Sequence, residues 1–131
     1  MKSILRTVLV ALAIVLVNAA PPFASAGPYE DGIEAYQRGD YTTALQIFRS
    51  LAETGDARGQ NGFGVMSEWG QGVPQDDAAA VKWYRMAADQ GFSKAQVNLG
   101  GMYVTGRGVQ QDYVEAAKWY RKAAKQGHAK G

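Results

Sequence analysis

The residues that could carry chemistry are few and poorly matched to one another. His128 is the sole histidine, close to the end of the 131-residue chain, and cysteine is absent. Nucleophilic triads and most transition-metal sites therefore lack their parts, and thiolate metal sites are excluded. Asp76 and Asp77 form an acidic pair. Acid–base work by two carboxylates needs a cleft and a partner carboxyl at suitable spacing. Asp76 instead falls at the helix-start position that Asp112 occupies thirty-six residues later. Gly106-Arg107-Gly108 shares two glycines with phosphate-cradling loops. A dinucleotide fingerprint needs a preceding strand and a third glycine at the right distance. Here the pair lies between two helical segments, so a tight turn with unusual backbone angles is expected. No catalytic residue, metal or cofactor is expected, and the chain reads as a non-enzyme.

The elements that hold these residues are repeated. Residues 57–92 align with residues 93–128, and seventeen of the thirty-six pairs are identical. Gly70-Gln71-Gly72-Val73 matches Gly106-Arg107-Gly108-Val109, and Lys82-Trp83-Tyr84-Arg85 matches Lys118-Trp119-Tyr120-Arg121. A period of this length marks a stacked helical array. Ser93 with Gln96 has the form of a capping box. Asp112, followed by Glu115, can cap in the same way. Gly91 and Gly127 fall where a helix end takes a left-handed residue. Helices are expected near 57–68, 76–90, 93–104 and 112–126. No stretch alternates with the period of a strand.

The second helix of each unit carries a stripe at i, i+3, i+4, i+7 and i+8. In one it is Ala80, Trp83, Tyr84, Ala87 and Ala88; in the other, Ala116, Trp119, Tyr120, Ala123 and Ala124. That spacing places all five on one face, and the stripe is expected to be core. The helix over 57–68 holds Gly59, Gly62 and Gly64. Each costs about 1 kcal/mol relative to alanine, so this helix is expected to be the softest.

These residues resemble the Sel1-like repeats, relatives of the tetratricopeptide repeats. The pattern runs through Ala95, Leu99, Gly100, Tyr103, Gly106, Gly108, Val109, Asp112, Ala116, Trp119, Tyr120, Ala123, Ala124 and Gly127. Residues 57–92 depart from it at Gly59, Phe63 and Ser67; Gly64 matches its packing glycine, whereas Gly59 and Gly62 do not. Residues 27–56 look like a divergent tetratricopeptide-like unit, with Gly39-Asp40-Tyr41 as its turn, Ala44, Leu45 and Phe48 on its second helix and a shorter turn than the later units. Pro28 suits a first helical position, Asp40 a cap and Gly55 a helix end. The resemblance implies an all-α protein, an α/α solenoid of about three helix-turn-helix repeats. It also implies an adaptor in protein complexes, in bacteria often at the envelope. Secreted relatives described as enzymes are rich in cysteine, which this chain lacks.

The start of the chain has the form of a cleavable export signal. Lys2 and Arg6 precede an apolar run from Val8 to Val17, and Ala24-Ser25-Ala26 supplies the small residues a signal peptidase reads. Residues 1–26 are expected to be removed, leaving no stable membrane insertion and a periplasmic or secreted protein. The run is shorter than the roughly 20 residues a spanning helix needs. Loss of Lys2 and Arg6 leaves twelve basic and twelve acidic residues. A near-neutral chain gives no global electrostatic case for nucleic acid.

In units of this kind the first helix of each pair faces a concave groove. Lys94, Val97, Gly101 and Val104 are expected there, with Arg58, Asn61, Val65 and Glu68 one unit earlier and Trp69 at the rim. Tyr29, Ile33 and Tyr36 take the same side of the first unit, or else merely cover the end of the array. The expected ligand is a peptide or helix of another protein, anchored by apolar side chains. At the other end, Lys118, Arg121, Lys122 and Lys125 make the last helix basic. That helix is expected to lack a covering neighbour. Its basic face is either solvated or a docking surface for another copy or an acidic partner.

Overall fold

The computed structural model describes residues 26–130. The expected leader lies outside the described residues, Ala26 aside. Six helices follow: α1 Pro28–Gln37, α2 Tyr41–Glu53, α3 Ala57–Trp69, α4 Asp77–Asp89, α5 Ser93–Thr105 and α6 Tyr113–Lys130. No strand occurs among the described residues. Each helix packs on its neighbours in the chain. Three helix pairs thus stack into an α/α solenoid, in which each unit buries its apolar faces on the next. None of the described helices is long and apolar enough to cross a membrane.

Aspartates start most of the helices. Asp40 accepts the amide of Thr43 at 3.2 Å, Asp56 that of Arg58 at 2.9 Å and Asp76 that of Ala79 at 3.0 Å. Asp112 accepts from Val114 and Glu115. Each removes at least one orphan donor of a first turn. The box expected at Ser93 and Gln96 does not form. Phe92 takes the cap position with no side-chain bond, and Ser93 is already helical. Gln96 is 3% exposed and turns inward instead. It donates to the Ala88 carbonyl at 3.2 Å and accepts from Gln126 at 2.9 Å. The repeat-equivalent pair, Gln90 and Gln60, bonds at 2.8 Å. Burial of a polar amide is tolerable only with such partners.

Gly91 has a φ of 90°, as a helix end requires, but Gly127 lies inside α6 without a positive φ. The Gly-x-Gly turns behave as expected. Gly70 and Gly106 end α3 and α5 in the left-handed region at φ 63° and 68°. Gly108 also sits against the Asp77 backbone, where a Cβ would collide with the carbonyl.

Gly59, Gly62 and Gly64 all seat neighbours. A Cβ at Gly59 would meet Leu51 and lie 2.8 Å from the amide nitrogen of Ala52. One at Gly62 would lie 2.9 Å from the Phe48 ring, and one at Gly64 2.7 Å from the Tyr84 ring. The intrinsic helical cost of these glycines therefore goes with close packing, since α3 lies between α2 and α4. This undercuts the expectation that α3 is the softest helix.

Two clusters form the core. Ala35, Ala44, Phe48 and Met66 join α1, α2 and α3. The larger runs from Ala80, Tyr84 and Ala88 through Leu99 and Met102 to Ala116 and Trp119. The stripe of α4 is buried apart from the half-buried Trp83. That of α6 departs from expectation: Ala116 and Trp119 are buried, whereas Tyr120 is 39% exposed and Ala124 is exposed.

Candidate functional site

The first helices of the three units, α1, α3 and α5, line three clefts. The first cleft, about 210 Å³, is walled by Tyr29, Ile33 and Tyr36 of α1, Phe48, Asn61, Gly62 and Val65, with Lys94 beyond. The second, about 550 Å³, lies between Asn61, Ser93, Lys94, Val97 and Asn98 on one side and Tyr120, Ala123 and Ala124 on the other. The third, about 310 Å³, is lined by Glu68, Val97, Asn98, Gly101, Met102, Thr105, Arg107 and Tyr120. Asn61 and Lys94 belong to the first two clefts. Val97, Asn98 and Tyr120 belong to the last two. Through these shared residues the three adjoin as a row of open clefts, the channel.

Nine of the twelve residues read from the sequence line it: Tyr29, Ile33, Tyr36, Asn61, Val65, Glu68, Lys94, Val97 and Gly101. Three do not. Arg58 folds over the Tyr29 ring at 4.8 Å and holds Asp56 at 3.0 Å. Trp69 projects outside, 63% exposed, with the Arg107 guanidinium 5.9 Å from its ring centroid. Val104 packs against the larger core cluster. Asn61 is also not the open surface expected. It is only 9% exposed, and its Oδ1 accepts from Asn98 Nδ2 at 3.0 Å. That amide pair links the first cleft to the third.

Ten lining residues were missed in the sequence, among them Ser93, Asn98, Tyr120 and Arg107. Asn98 is one residue past Val97, the repeat equivalent of Asn61, so the alignment concealed the pair. Tyr120 was read as core. Arg107 was passed over as the variable residue of a turn. It reaches back across the unit boundary. Its Nη1 donates to Glu68 Oε1 at 3.2 Å and its Nη2 to Asp77 Oδ1 at 2.9 Å. The other Glu68 oxygen accepts from the Tyr84 hydroxyl at 2.5 Å. Burial, and then that carboxylate, push the Tyr84 hydroxyl well above its ordinary range. Gln71, the equivalent turn residue, makes the same backward reach with neutral groups. It accepts from the Tyr36 hydroxyl at 2.8 Å and donates to that of Tyr41 at 3.3 Å.

Chemically, the channel offers apolar walls, aromatic edges, one amide pair, the Ser93 and Thr105 hydroxyls, the Lys94 ammonium and the Glu68–Arg107 ion pair. No cluster among the described residues has the His, Cys, Asp and Glu content to hold a metal ion. Such an arrangement suits recognition of a chain by its side chains and backbone. The molecule is thus a helical-repeat protein in its class. The Sel1 repeat profile matches residues 57–92 and 93–128, the two units read from the sequence. The chain belongs to the Sel1 repeat family.

A Sel1 repeat protein from Oxalobacter formigenes has a similar structure, with 43% identity over 76% of this chain and a TM-score of 0.70. So does c5321, a protective antigen present in uropathogenic Escherichia coli strains, with 40% identity over 76% of this chain and the same TM-score. This chain spans 41% and 22% of the lengths of those two proteins. Cysteine-rich protein B of Helicobacter pylori shares the fold at 20% identity, with a TM-score of 0.62 over 79% of this chain and 94% of that one. No curated protein matches the sequence. Sel1 repeats generally mediate protein–protein interaction, and their fold is typically a non-catalytic scaffold.

Proposed function

We propose that the chain is an exported adaptor that holds a segment of a partner protein along the concave channel. The observation that carries this reading is that the three clefts adjoin, sharing Asn61, Lys94, Val97, Asn98 and Tyr120. A row of clefts across three units fits an extended peptide or a helix better than a compact ligand. Val97, 48% exposed, and Tyr36 supply apolar anchors. The Asn61–Asn98 pair leaves one amide donor group and one carbonyl free for the partner's backbone. Lys94 has no acidic partner among the described residues and favours a segment carrying a carboxylate near the midpoint. The export part of the proposal rests on the basic start, the Val8–Val17 run and Ala24-Ser25-Ala26.

The test is crosslinking and affinity capture from the native envelope fraction. The normal chain is compared with Val97→Glu in the channel and Lys82→Glu on an exposed site outside it. Capture of one protein by the normal chain and by Lys82→Glu, lost with Val97→Glu, is the expected result. A partner retained in full by Val97→Glu would remove the channel from the reading.

A further inference from the structure

The channel is charged unevenly, and its polar groups are only partly used. Of the residues lining the three clefts, only Glu68 is acidic. The first two clefts hold Lys94 and no carboxylate to face it. Lys94 is exposed and makes no ion pair among the described residues. Asn61 lines the same two clefts and is only 9% exposed. Its Oδ1 is taken by Asn98 Nδ2. Among the described residues, Asn61 Nδ2 has no acceptor and Asn98 Oδ1 no donor. Neither atom is sealed off, since Trp119 Nε1 is the one fully buried side-chain polar atom there without a partner. A buried amide normally spends its hydrogen bonds. One free donor and one free acceptor in a cleft wall complement an extended backbone. The N–H and C=O of an extended chain are unspent, whereas those inside a helix already bond one another.

The third cleft has the opposite balance. Glu68 shares the Arg107 guanidinium with Asp77, so two carboxylates face one cation and a negative charge is left over. Trp69 follows Glu68 in the chain and is 63% exposed, with Arg107 5.9 Å from its ring centroid. An exposed indole beside a surplus carboxylate is a seat for a further cation. On α5, Lys94 marks the basic part of the channel, and Gly101 lies in the cleft of Glu68. The helical rise puts them about 10 Å apart. Val97, 48% exposed, lies between them.

From this we infer that the partner segment is extended and bipolar. An acidic side chain meets Lys94, an apolar one covers Val97, and a basic one meets Glu68 and Trp69. The backbone between them bonds Asn61 Nδ2 and Asn98 Oδ1. The acid and the base stand about three residues apart, the number that spans roughly 10 Å of extended chain. This charge register deepens the role proposed for the channel and rests on it. A segment of one sign throughout is disfavoured, because part of it meets like charge. Both charged contacts lie near the surface, so binding falls as salt rises.

The probe is a phage-displayed library of random dodecapeptides, selected on the full chain expressed with its leader and purified as the cell leaves it. The expected result is enrichment of an acidic and a basic residue about three places apart, flanking an apolar one. Selection on Lys94→Glu should exchange the acidic residue for lysine or arginine. Selection on Trp69→Ala or Glu68→Gln should lose the basic residue and keep the acidic one. Trp69 is exposed, so Trp69→Ala carries this arm even where Glu68→Gln loosens the bond from Tyr84; circular dichroism checks the fold of each variant. For a selected peptide, Lys94→Glu should weaken binding about tenfold by fluorescence anisotropy, and lysine in place of the peptide's acid should restore it. Charges seven places apart, the helical spacing for the same distance, would overturn the extended form. Selected peptides without paired charges, or indifferent to Lys94→Glu, would overturn the inference. Where Val97→Glu still abolishes their binding, the channel keeps its proposed role and only the charge register falls. Where it does not, both fall, as they do if the library enriches nothing.

Discussion

Helices α4 and α6 share Lys-Trp-Tyr-Arg and most of their apolar stripe, yet they live in different surroundings. Tyr84 is fully buried and its hydroxyl donates to Glu68; Tyr120 is 39% exposed. Ala88 is buried and Ala124 exposed. The tryptophans reverse the order. Trp83 is half-buried and meets the Phe63 ring edge-on at 5.2 Å, while Trp119 is 4% exposed beneath the Lys122 ammonium. Similar helix sequences thus acquire their energetics from what is stacked on them. In a quasi-one-dimensional array the junctions between units carry much of the stability.

The largest test of this contrast is truncation of the two tyrosines. Tyr84→Ala should cost about 3–5 kcal/mol, as for other large core aromatics. Tyr120→Ala should cost about 1–2 kcal/mol, because much less area is removed from contact. Chemical denaturation with an unchanged m-value measures both, and equal losses would break the comparison. The facing glycines give the next effect. A Cβ at Gly64 would lie 2.7 Å from the Tyr84 ring, and one at Gly100 2.8 Å from that of Tyr120. The clashes are alike, but only Tyr120 has solvent to swing into. Gly64→Ala should therefore destabilise by about 1–3 kcal/mol. In Gly100→Ala the gain in helix propensity, about 1 kcal/mol, offsets the shift, and the net change should be near zero.

The sequence made the repeat, the turns and the aspartate caps readable because these depend on local backbone demands. Gly70 and Gly106 must be left-handed whatever surrounds them, and Asp40, Asp76 and Asp112 bond amides within three residues. The glutamine pairs Gln60–Gln90 and Gln96–Gln126 were not legible, since their partners lie thirty residues apart. Gln96 instead mimicked a capping box. Tyr120 failed for a related reason: its letter matches Tyr84, and only a stacked neighbour separates the two. The channel followed from helix faces for nine of its residues. Asn98 and Arg107 escaped because each acts across a unit boundary, where an internal alignment compares like with like and says nothing of contact.

Arg107 offers a smaller, directed test. It belongs to the third unit but pins Glu68 and Asp77 of the second, and Glu68 receives the Tyr84 hydroxyl. Val104 stands at the place of Glu68 one unit on, so Tyr120 has no such carboxylate. Arg107→Ala should cost about 1–2 kcal/mol, the range of a charge-assisted bond with partly exposed partners. It should also reduce the excess cost of Tyr84→Ala over Tyr120→Ala. A double-mutant cycle between Arg107 and Tyr84 measures that coupling. Strict additivity would confine the difference between the tyrosines to burial alone.

The smallest effect at neutral pH concerns the Tyr84 hydroxyl itself. Tyr84→Phe keeps the ring and removes one hydrogen bond to a carboxylate, a loss of about 1 kcal/mol at pH 7. Its value lies at alkaline pH. Burial and Glu68 raise the Tyr84 hydroxyl above its ordinary value of 10.0, so the folded chain keeps this proton after the unfolded chain has released it. The unfolded state then binds fewer protons, and stability falls as pH rises. The contribution is intact below pH 10 and declines above it, towards the folded-state value. Phenylalanine cannot titrate, so Tyr84→Phe should lose stability less steeply above pH 10, and the two denaturation curves should converge there. Parallel curves from pH 8 to pH 11 would mean that the Tyr84 hydroxyl reaches water, and that its surroundings differ from those of Tyr120 in degree only.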